Sequence, residues 1–247
     1  MPSAHFFTTD VFTDRAFGGN QLAVFPDARA IPEELLLPIT REFNFSETTF
    51  VYPDVRDESH TRRVRIFTPG GEIPFAGHPT VGTAFVLFAS GELRCACDEA
   101  RIVLEEGVGP VAVTLRFPPG PDTDERGTPV FAQLSVAKLP EVTDPRPDAA
   151  TLAEVLSLDP SDFVGGEYGA EAVSCGIPFL MVPLRTRDAV RRARVRLEAW
   201  ERTLRGTAGS EIMVFSLAER GSRATAPGGP DVHARVFVPG LSVPEDP

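Results

Sequence analysis

The hexapeptide RIFTPG at residues 65–70 returns near the end of the chain as RVFVPG at residues 235–240. Two earlier segments recur in the same order, SETTFV at 46–51 as SEIMVF at 210–215 and, more weakly, GNQLAV at 19–24 as GIPFLM at 176–181. Each copy is a short apolar or β-branched run that ends at or near glycine or proline, which is typical of a strand. Three segments repeated in one order predict a chain built from two similar lobes.

Helical periodicity is less pronounced than the strand pattern. It predicts helices over residues 32–43, 79–90, 149–156 and 187–204. A proline-rich run predicts a linker at 119–129 that separates an N-terminal lobe, 1–118, from a C-terminal lobe, 130–247. We expect an α+β fold of two pseudo-symmetric lobes, each a curved, mostly antiparallel sheet around a central helix. Because ligands favour the junction of such lobes, any active site is expected in the cleft between them.

The composition argues against several classes of partner and cofactor. The chain has 24 basic and 35 acidic residues, and this net charge of −11 argues against nucleic acid and anionic membranes as partners. Lys138 is the single lysine and lies in a loop-like stretch, which argues against a P-loop and a pyridoxal-phosphate enzyme. The four histidines show no metal-ligand spacing, so no metal site is expected.

The sequence also shows no pattern typical of a targeting signal. No apolar run reaches the length of a membrane span, and the N-terminus does not resemble a secretory signal. The three cysteines are an odd number, and Cys95 and Cys97 are too close in sequence for an easy disulfide. This cysteine usage favours a reducing, cytoplasmic setting.

The segment PFAGHPTVG at residues 74–82 is the most informative for chemistry. Pro79 suits the first position of a helix, which makes His78 the cap and directs backbone N–H groups outward to bind a carboxylate or phosphate. Gly77 allows a ligand to approach the backbone closely. A capped helix with an ordinary histidine explains this segment equally well, but Asp246 before Pro247 mirrors His78 before Pro79 in the repeat.

Glu47 is the candidate acid or base. It is a lone carboxylate in an apolar, β-branched strand, and its pKa should rise by desolvation if it points inward. A carboxylate poised near neutral pH suits general acid/base catalysis. A solvent-facing Glu47 on an alternating strand is the competing interpretation, and the segment alone favours it.

These segments together resemble the PhzF family, named for phenazine biosynthesis. The resemblance rests on GNQLAV, SETTFV, PFAGHPT and the repeat RVFVPG followed by EDP, and it runs from about Asp10 to Pro247. It implies a diaminopimelate-epimerase-like fold of two pseudo-symmetric lobes, a homodimer and no cofactor. The best-known member isomerises trans-2,3-dihydro-3-hydroxyanthranilate by moving a proton between ring carbons.

The resemblance also implies roles for individual residues. The catalytic glutamate of the family falls on Glu47, and its substrate-orienting histidine and aspartate fall on His78 and Asp246. Asn20 and the Gly77 amide are implied to line the substrate pocket. Related epimerases use a facing cysteine pair at the two helix starts, and no cysteine of this chain falls there, which disfavours a two-base cysteine racemase.

We therefore predict a cofactor-independent isomerase that acts on a small, anionic, carboxylated substrate through Glu47. An epimerase or a proton-abstracting lyase acting on a small amino or hydroxy acid is the alternative of the same fold. In the family a further helix and closing strands follow the EDP segment, whereas this sequence ends at Pro247. On that ground an incomplete C-terminal lobe is expected, with weak or no activity, and a catalytically dead small-molecule-binding relative is the alternative of another class.

Overall fold

The computed structural model describes residues 3–118, 128–136, 138–217 and 232–246. The chain divides into two compact units, Met1–Leu139 and Pro140–Pro247. Most of the predicted linker, residues 119–127, lies outside the described residues. Beyond it, a strand at Phe131–Ser135 pairs with the sheet of the first unit, so this unit extends to Leu139.

The first unit holds two helices, α1 at Glu33–Phe43 and α2 at Gly77–Ala89. Its described strands are β1 Phe7–Val11, β2 Asn20–Phe25, β3 Glu47–Tyr52, β4 Arg62–Thr68, β5 Gly71–Ile73, β6 Glu99–Glu106, β7 Gly109–Arg116 and β8 Phe131–Ser135. They form one sheet in the order β1-β2-β3-β4-β6-β7-β8, with β5 paired to β4. The pairings β2–β3 and β4–β6 are parallel, and the others are antiparallel.

This sheet is curled around α2. The helix contacts β1 and β2 at one end of the strand order and β7 and β8 at the other. Strands lie about 4.8 Å apart, so the end strands of a flat sheet this wide would be roughly 29 Å apart, too far for one helix to touch both. The close fit depends on Gly82, where a Cβ atom would lie 2.7 Å from side-chain carbons of Leu22 and Val11.

Helix α1 packs on the opposite face of the sheet. It begins after Pro32 with acidic residues in its first turn and ends at Asn44, which adopts the left-handed conformation of a helix C-terminus. Its Leu36 packs against a cluster of aromatic rings in which Phe50 and Phe25 are stacked with centroids 5.1 Å apart. Alternate residues of β3 therefore face different helices, with Phe50 toward α1 and Thr49 bonded to Thr83 of α2 over 2.8 Å.

The second unit has helices α3 Ala149–Leu156, α4 Arg187–Arg192 and α5 Leu197–Thr203. Its described strands are β9 Glu141–Thr143, β10 Glu171–Ser174, β11 Pro178–Pro183, β12 Glu211–Leu217, β13 Val232–Val238 and β14 Val243–Asp246, in the order β14-β13-β12-β11-β10-β9. The three helices pack on one face, against a core that includes Leu180, Ile212 and Phe237. Pro247, where the further helix of the family would begin, lies outside the described residues.

The two units repeat one strand arrangement, as the sequence predicts. Leu22 of β2 pairs with Glu47 of parallel β3, and Phe179 of β11 pairs with Glu211 of parallel β12. Likewise Phe50 pairs with Arg65, and Val214 pairs with Arg235, in antiparallel register. In each unit the arginine lies over the phenylalanine two residues further on. The predicted α+β fold of two pseudo-symmetric lobes is confirmed.

The single helix predicted over residues 187–204 is wrong, because the chain leaves the helix between α4 and α5. Arg235 donates hydrogen bonds to the carbonyl oxygens of Val190, Arg191 and Ala193, which satisfy the end of α4. The next residues turn back, and Arg194 and Arg196 donate their N–H groups to carbonyls of α3. These contacts come from segments distant in sequence, which local periodicity cannot report.

Two further findings concern the cysteines and the helix lengths. Cys95 and Cys97 are paired as a disulfide, although they were expected to be too close in sequence for an easy one. Among the described residues, no helix has both the length and the apolar character needed to cross a membrane.

Candidate active site

Three predicted site residues of the first unit come together where β2, β3 and α2 begin. Asn20 is the first residue of β2, and Glu47 is the first residue of β3. Because these two strands are parallel and adjacent, their starts lie at the same edge of the sheet. His78 is the second residue of α2, the helix that fills the curl of the sheet. Sequence segments that are far apart thus meet at one point.

The three side chains lie in a row, with His78 between Asn20 and Glu47. Asn20 Nδ2 lies 3.1 Å from His78 Nδ1, and His78 Nε2 lies 3.3 Å from Glu47 Oε2. An amide nitrogen can only donate, so Nδ1 of the imidazole accepts and its proton is carried by Nε2. Nε2 is the ring nitrogen that lies 3.3 Å from Glu47 Oε2. Asn20 therefore selects the tautomer of His78 that carries its proton on the ring nitrogen nearer to Glu47.

All three side chains are buried. Glu47 is 6% exposed, His78 is 5% exposed and Asn20 is 6% exposed. The solvent-facing interpretation of Glu47 is thus wrong, because Glu47 and Thr49 occupy the face of β3 that looks toward α2. Burial strengthens the electrostatic interaction between the imidazole and the carboxylate, since little water remains to screen it.

The start of α2 differs from the sequence prediction. The helix begins at Gly77 rather than at Pro79, and Ala76, in extended conformation, occupies the cap position that was predicted for His78. The first intrahelical bond runs from the N–H of Thr80 to the carbonyl of Ala76, which places His78 inside the first turn. The Gly77 N–H precedes this bond, at the end of the helix where the macrodipole favours an anion.

Asp246 belongs to the second unit, where it is the last residue of β14 and pairs with Val236. Its side chain is half-buried. The neighbouring Glu245 is held by a two-pronged salt bridge to Arg235, at 2.6 Å for each pair of atoms. This bridge fixes β14 against β13 next to Asp246.

Two buried glutamates with raised pKa values, Glu106 and Glu211, escaped the sequence analysis. Glu106, at the end of β6, is 6% exposed, and burial raises its pKa to about 8. Ile102 and Leu104 of the same strand are buried apolar residues, and Glu106 follows at the same spacing of two. This alternation could have indicated that Glu106 is buried. Glu211 takes the place of Glu47 in the repeat, and burial raises the pKa of its carboxyl as well.

The first unit by itself gathers no cluster of three metal-ligating side chains among its described residues. Its candidate site is a buried carboxylate, an imidazole and a carboxamide beside a helix start. Such a set can accept a proton, return it, and donate hydrogen bonds to a developing negative charge.

Comparison with known proteins adds independent evidence. The chain matches the family described as phenazine biosynthesis-like protein, PhzC-PhzF, over residues 9–247. An uncharacterised isomerase of Mesorhizobium japonicum is 34% identical over 247 residues, covering 100% of this chain and 77% of that protein. The trans-2,3-dihydro-3-hydroxyanthranilate isomerase of Pseudomonas aeruginosa is 41% identical over 106 residues, which are 43% of this chain and 35% of that enzyme. A solved structure of a predicted epimerase from Pseudomonas aeruginosa has a TM-score of 0.72 at 29% identity, covering 99% of this chain and 76% of that one.

Proposed function

Because the chain belongs to the phenazine biosynthesis-like PhzC-PhzF family, we propose that this isomerase moves a proton within a small carboxylated substrate by general acid/base catalysis through Glu47. The observation that carries the proposal is the buried pair in which His78 Nε2 lies 3.3 Å from Glu47 Oε2. A general base needs a fixed orientation and shelter from water, and this pair supplies both.

The proposed reaction is balanced without an oxidant, a reductant or a cofactor. The carboxylate of Glu47 removes a proton from one carbon of the substrate, and the electron pair of that C–H bond moves into the conjugated system. Glu47, now a neutral acid whose proton exchanges with solvent, delivers a proton to a second carbon. The product differs from the substrate only in the positions of one hydrogen and the double bonds.

The proposed substrate is anionic, and His78 and the start of α2 support this choice. The Gly77 N–H stands at the positive end of the helix macrodipole, which favours a carboxylate or a developing enolate. We assign to His78 the orientation of Glu47 and of the polar groups of the substrate, and to Asn20 the control of the His78 tautomer. The proposed substrate-orienting role of Asp246 rests on the family resemblance.

The substrate of the Pseudomonas aeruginosa relative, trans-2,3-dihydro-3-hydroxyanthranilate, is the first compound to test. An epimerase acting on a small amino or hydroxy acid is the second candidate function, and the similarity to a solved structure described as a predicted epimerase favours it. The two functions differ in product, because the first relocates double bonds whereas the second inverts one carbon.

The test follows deuterium uptake by NMR in D₂O, with trans-2,3-dihydro-3-hydroxyanthranilate and a panel of small amino and hydroxy acids. The wild type is expected to incorporate solvent deuterium, and Glu47→Gln is expected to lower the rate by about 10²–10⁴-fold. Glu99→Gln is the matched control, because Glu99 is an exposed glutamate at the far end of β6.

Each outcome has a defined meaning. Uptake lost in Glu47→Gln and retained in Glu99→Gln supports proton transfer by Glu47. Undiminished uptake in Glu47→Gln would contradict that assignment. Stabilisation by a compound without any deuterium exchange would identify a binding protein instead of an enzyme.

A further inference from the structure

Glu106 is a buried carboxyl group that the proposed reaction does not use. It ends β6 and is 6% exposed, and its side chain lies beside the first turn of α2. Its Oε1 lies 2.7 Å from Thr80 Oγ1. Its Oε2 is buried and has no hydrogen-bond partner among the described residues.

The hydroxyl of Thr80 connects Glu106 to the start of α2. Thr80 Oγ1 lies 2.7 Å from Glu106 Oε1 and 2.7 Å from the carbonyl oxygen of Ala76. Ala76 is the cap residue of α2, and Gly77 and His78 follow it directly as the first two residues of the helix. The Thr80 hydroxyl is therefore part of the turn that carries two residues of the candidate site.

Counting protons assigns the charge state of Glu106. A threonine hydroxyl has one proton to donate, and the carbonyl of Ala76 can only accept. If Glu106 were ionised, one of the two short oxygen–oxygen contacts would have no proton between its atoms. If Glu106 is a neutral acid, it donates to Thr80 Oγ1, and Thr80 donates to Ala76, so both contacts are hydrogen bonds. A neutral acid also leaves no buried anionic oxygen without a partner.

The backbone around Glu106 is held in close contact with the same turn. The N–H of Val108, just after Glu106, donates to the carbonyl of Pro74 over 2.9 Å. A Cβ atom on Gly107 would lie 2.7 Å from the Cα atom of Pro74, so this position requires glycine. The turn between β6 and β7 is thus packed on the segment that leads into α2.

We propose that Glu106, as a neutral acid hydrogen-bonded to Thr80, is a positioning residue that holds the Gly77 amide and His78 in their working orientation. Loss of its proton forces the Thr80 hydroxyl to turn from Ala76 toward the carboxylate, which releases the first turn of α2. The effect on catalysis rests on the proposed function, whereas the charge state of Glu106 does not.

The surroundings of Glu106 contain few other titratable groups. Three segments pack around Glu106, namely the turn 107–109, the segment 74–76 and the first turn of α2. Their one titratable side chain is that of His78, which is paired with Glu47. On its own strand, Glu105 accepts hydrogen bonds from His60 and the N–H of Arg56. Burial raises the pKa of Glu106 to about 8, and the Thr80 contact opposes this rise without cancelling it.

The first test follows the carboxyl group directly and requires no substrate. The protein is labelled with glutamate carrying ¹³C at the side-chain carboxyl, and the resonance of Glu106 is identified by its absence from Glu106→Gln. We expect this resonance to titrate with a midpoint near pH 8. A midpoint below about pH 5, the range of an ordinary glutamate, would overturn the proposal whether or not any substrate is turned over.

The second test is the pH profile of deuterium exchange between pH 6 and pH 10. The wild-type rate is expected to fall about tenfold per pH unit above pH 8, since the neutral form of Glu106 is required. Glu106→Gln keeps a donor to Thr80 and cannot titrate, so its ratio of rates at pH 9 and pH 7 is expected to stay near one. Glu99→Gln on the same strand is the control and is expected to keep the wild-type fall.

A Glu106→Gln protein whose rate still falls above pH 8 in the wild-type manner would overturn the positioning role. If the wild type turns over no compound, the proposed function fails, and the carboxyl titration alone then decides the charge state of Glu106.

Discussion

Replacing Glu106 by glutamine is expected to stabilise the protein at alkaline pH, because the substitution removes an ionisable group from its core. Burial raises the pKa of Glu106 from the ordinary 4.5 to about 8 in the folded state. Between these two values the folded protein holds a proton that the unfolded chain releases. The stability from this group is therefore fully present below pH 4.5, and it is lost as the pH rises through 8.

The size of the effect follows from the same two values. The two pKa values differ by about 3.5 units, and each unit corresponds to about 1.4 kcal/mol. Between pH 4.5 and pH 8, Glu106 therefore lowers the unfolding free energy of the wild type by up to about 5 kcal/mol. Glutamine does not titrate and can still donate to Thr80. We expect the two proteins to agree within about 1 kcal/mol at pH 5 and the variant to be more stable at pH 9.

The assay is urea unfolding followed by far-ultraviolet circular dichroism at pH 5, 7 and 9. Other carboxyl groups, such as those of Asp27 and Asp148, have lowered pKa values and weaken both proteins as the pH falls. The difference between wild type and variant removes their contribution. Equal unfolding free energies at pH 9, or a less stable variant there, would refute the burial argument for Glu106.

Three further predictions concern the core, the site and the assembly. Phe50→Ala is expected to cost about 3–5 kcal/mol, because Phe50 is fully buried and stacked on Phe25, and a loss below about 1 kcal/mol in the same unfolding assay would contradict this packing. Asn20→Leu removes the donor to His78 Nδ1 and is expected to slow deuterium exchange about tenfold or more with little change in the unfolding midpoint, and an unchanged rate would argue against control of the tautomer. The family resemblance predicts a homodimer, so light scattering should return about twice the chain mass of 26.7 kDa, whereas a monomer mass would overturn that expectation.

Much of the fold follows from local sequence patterns. The repeated hexapeptides at 65–70 and 235–240 lie on β4 and β13, in equivalent registers against β3 and β12. The predicted helix at 149–156 is observed with the same bounds. A period of two along a strand and the chemistry of glycine and proline are properties of short segments, and they are readable without knowledge of distant contacts.

The candidate site was readable in part. Asn20, Glu47 and His78 were named from short motifs, and the structure brings these three side chains of the first unit together. Their catalytic roles remain predictions, as do those of Gly77 and Asp246. The solvent-facing alternative for Glu47 was favoured by its segment alone, because the face of a strand that is buried depends on what packs against it.

Local sequence patterns were enough to place the repeated strands and most of the helices, and to show that the chain consists of two similar units. Contacts between distant segments set the end of α4, where Arg235 donates to its carbonyl oxygens, and place the Thr80 hydroxyl between Glu106 and the start of α2. Both depend on groups that meet across 26 or more residues of chain. The protonation of a buried side chain and the end of a helix depend on which polar groups of the protein replace water as hydrogen-bond partners. These groups come from distant segments, so they meet only when the chain has packed.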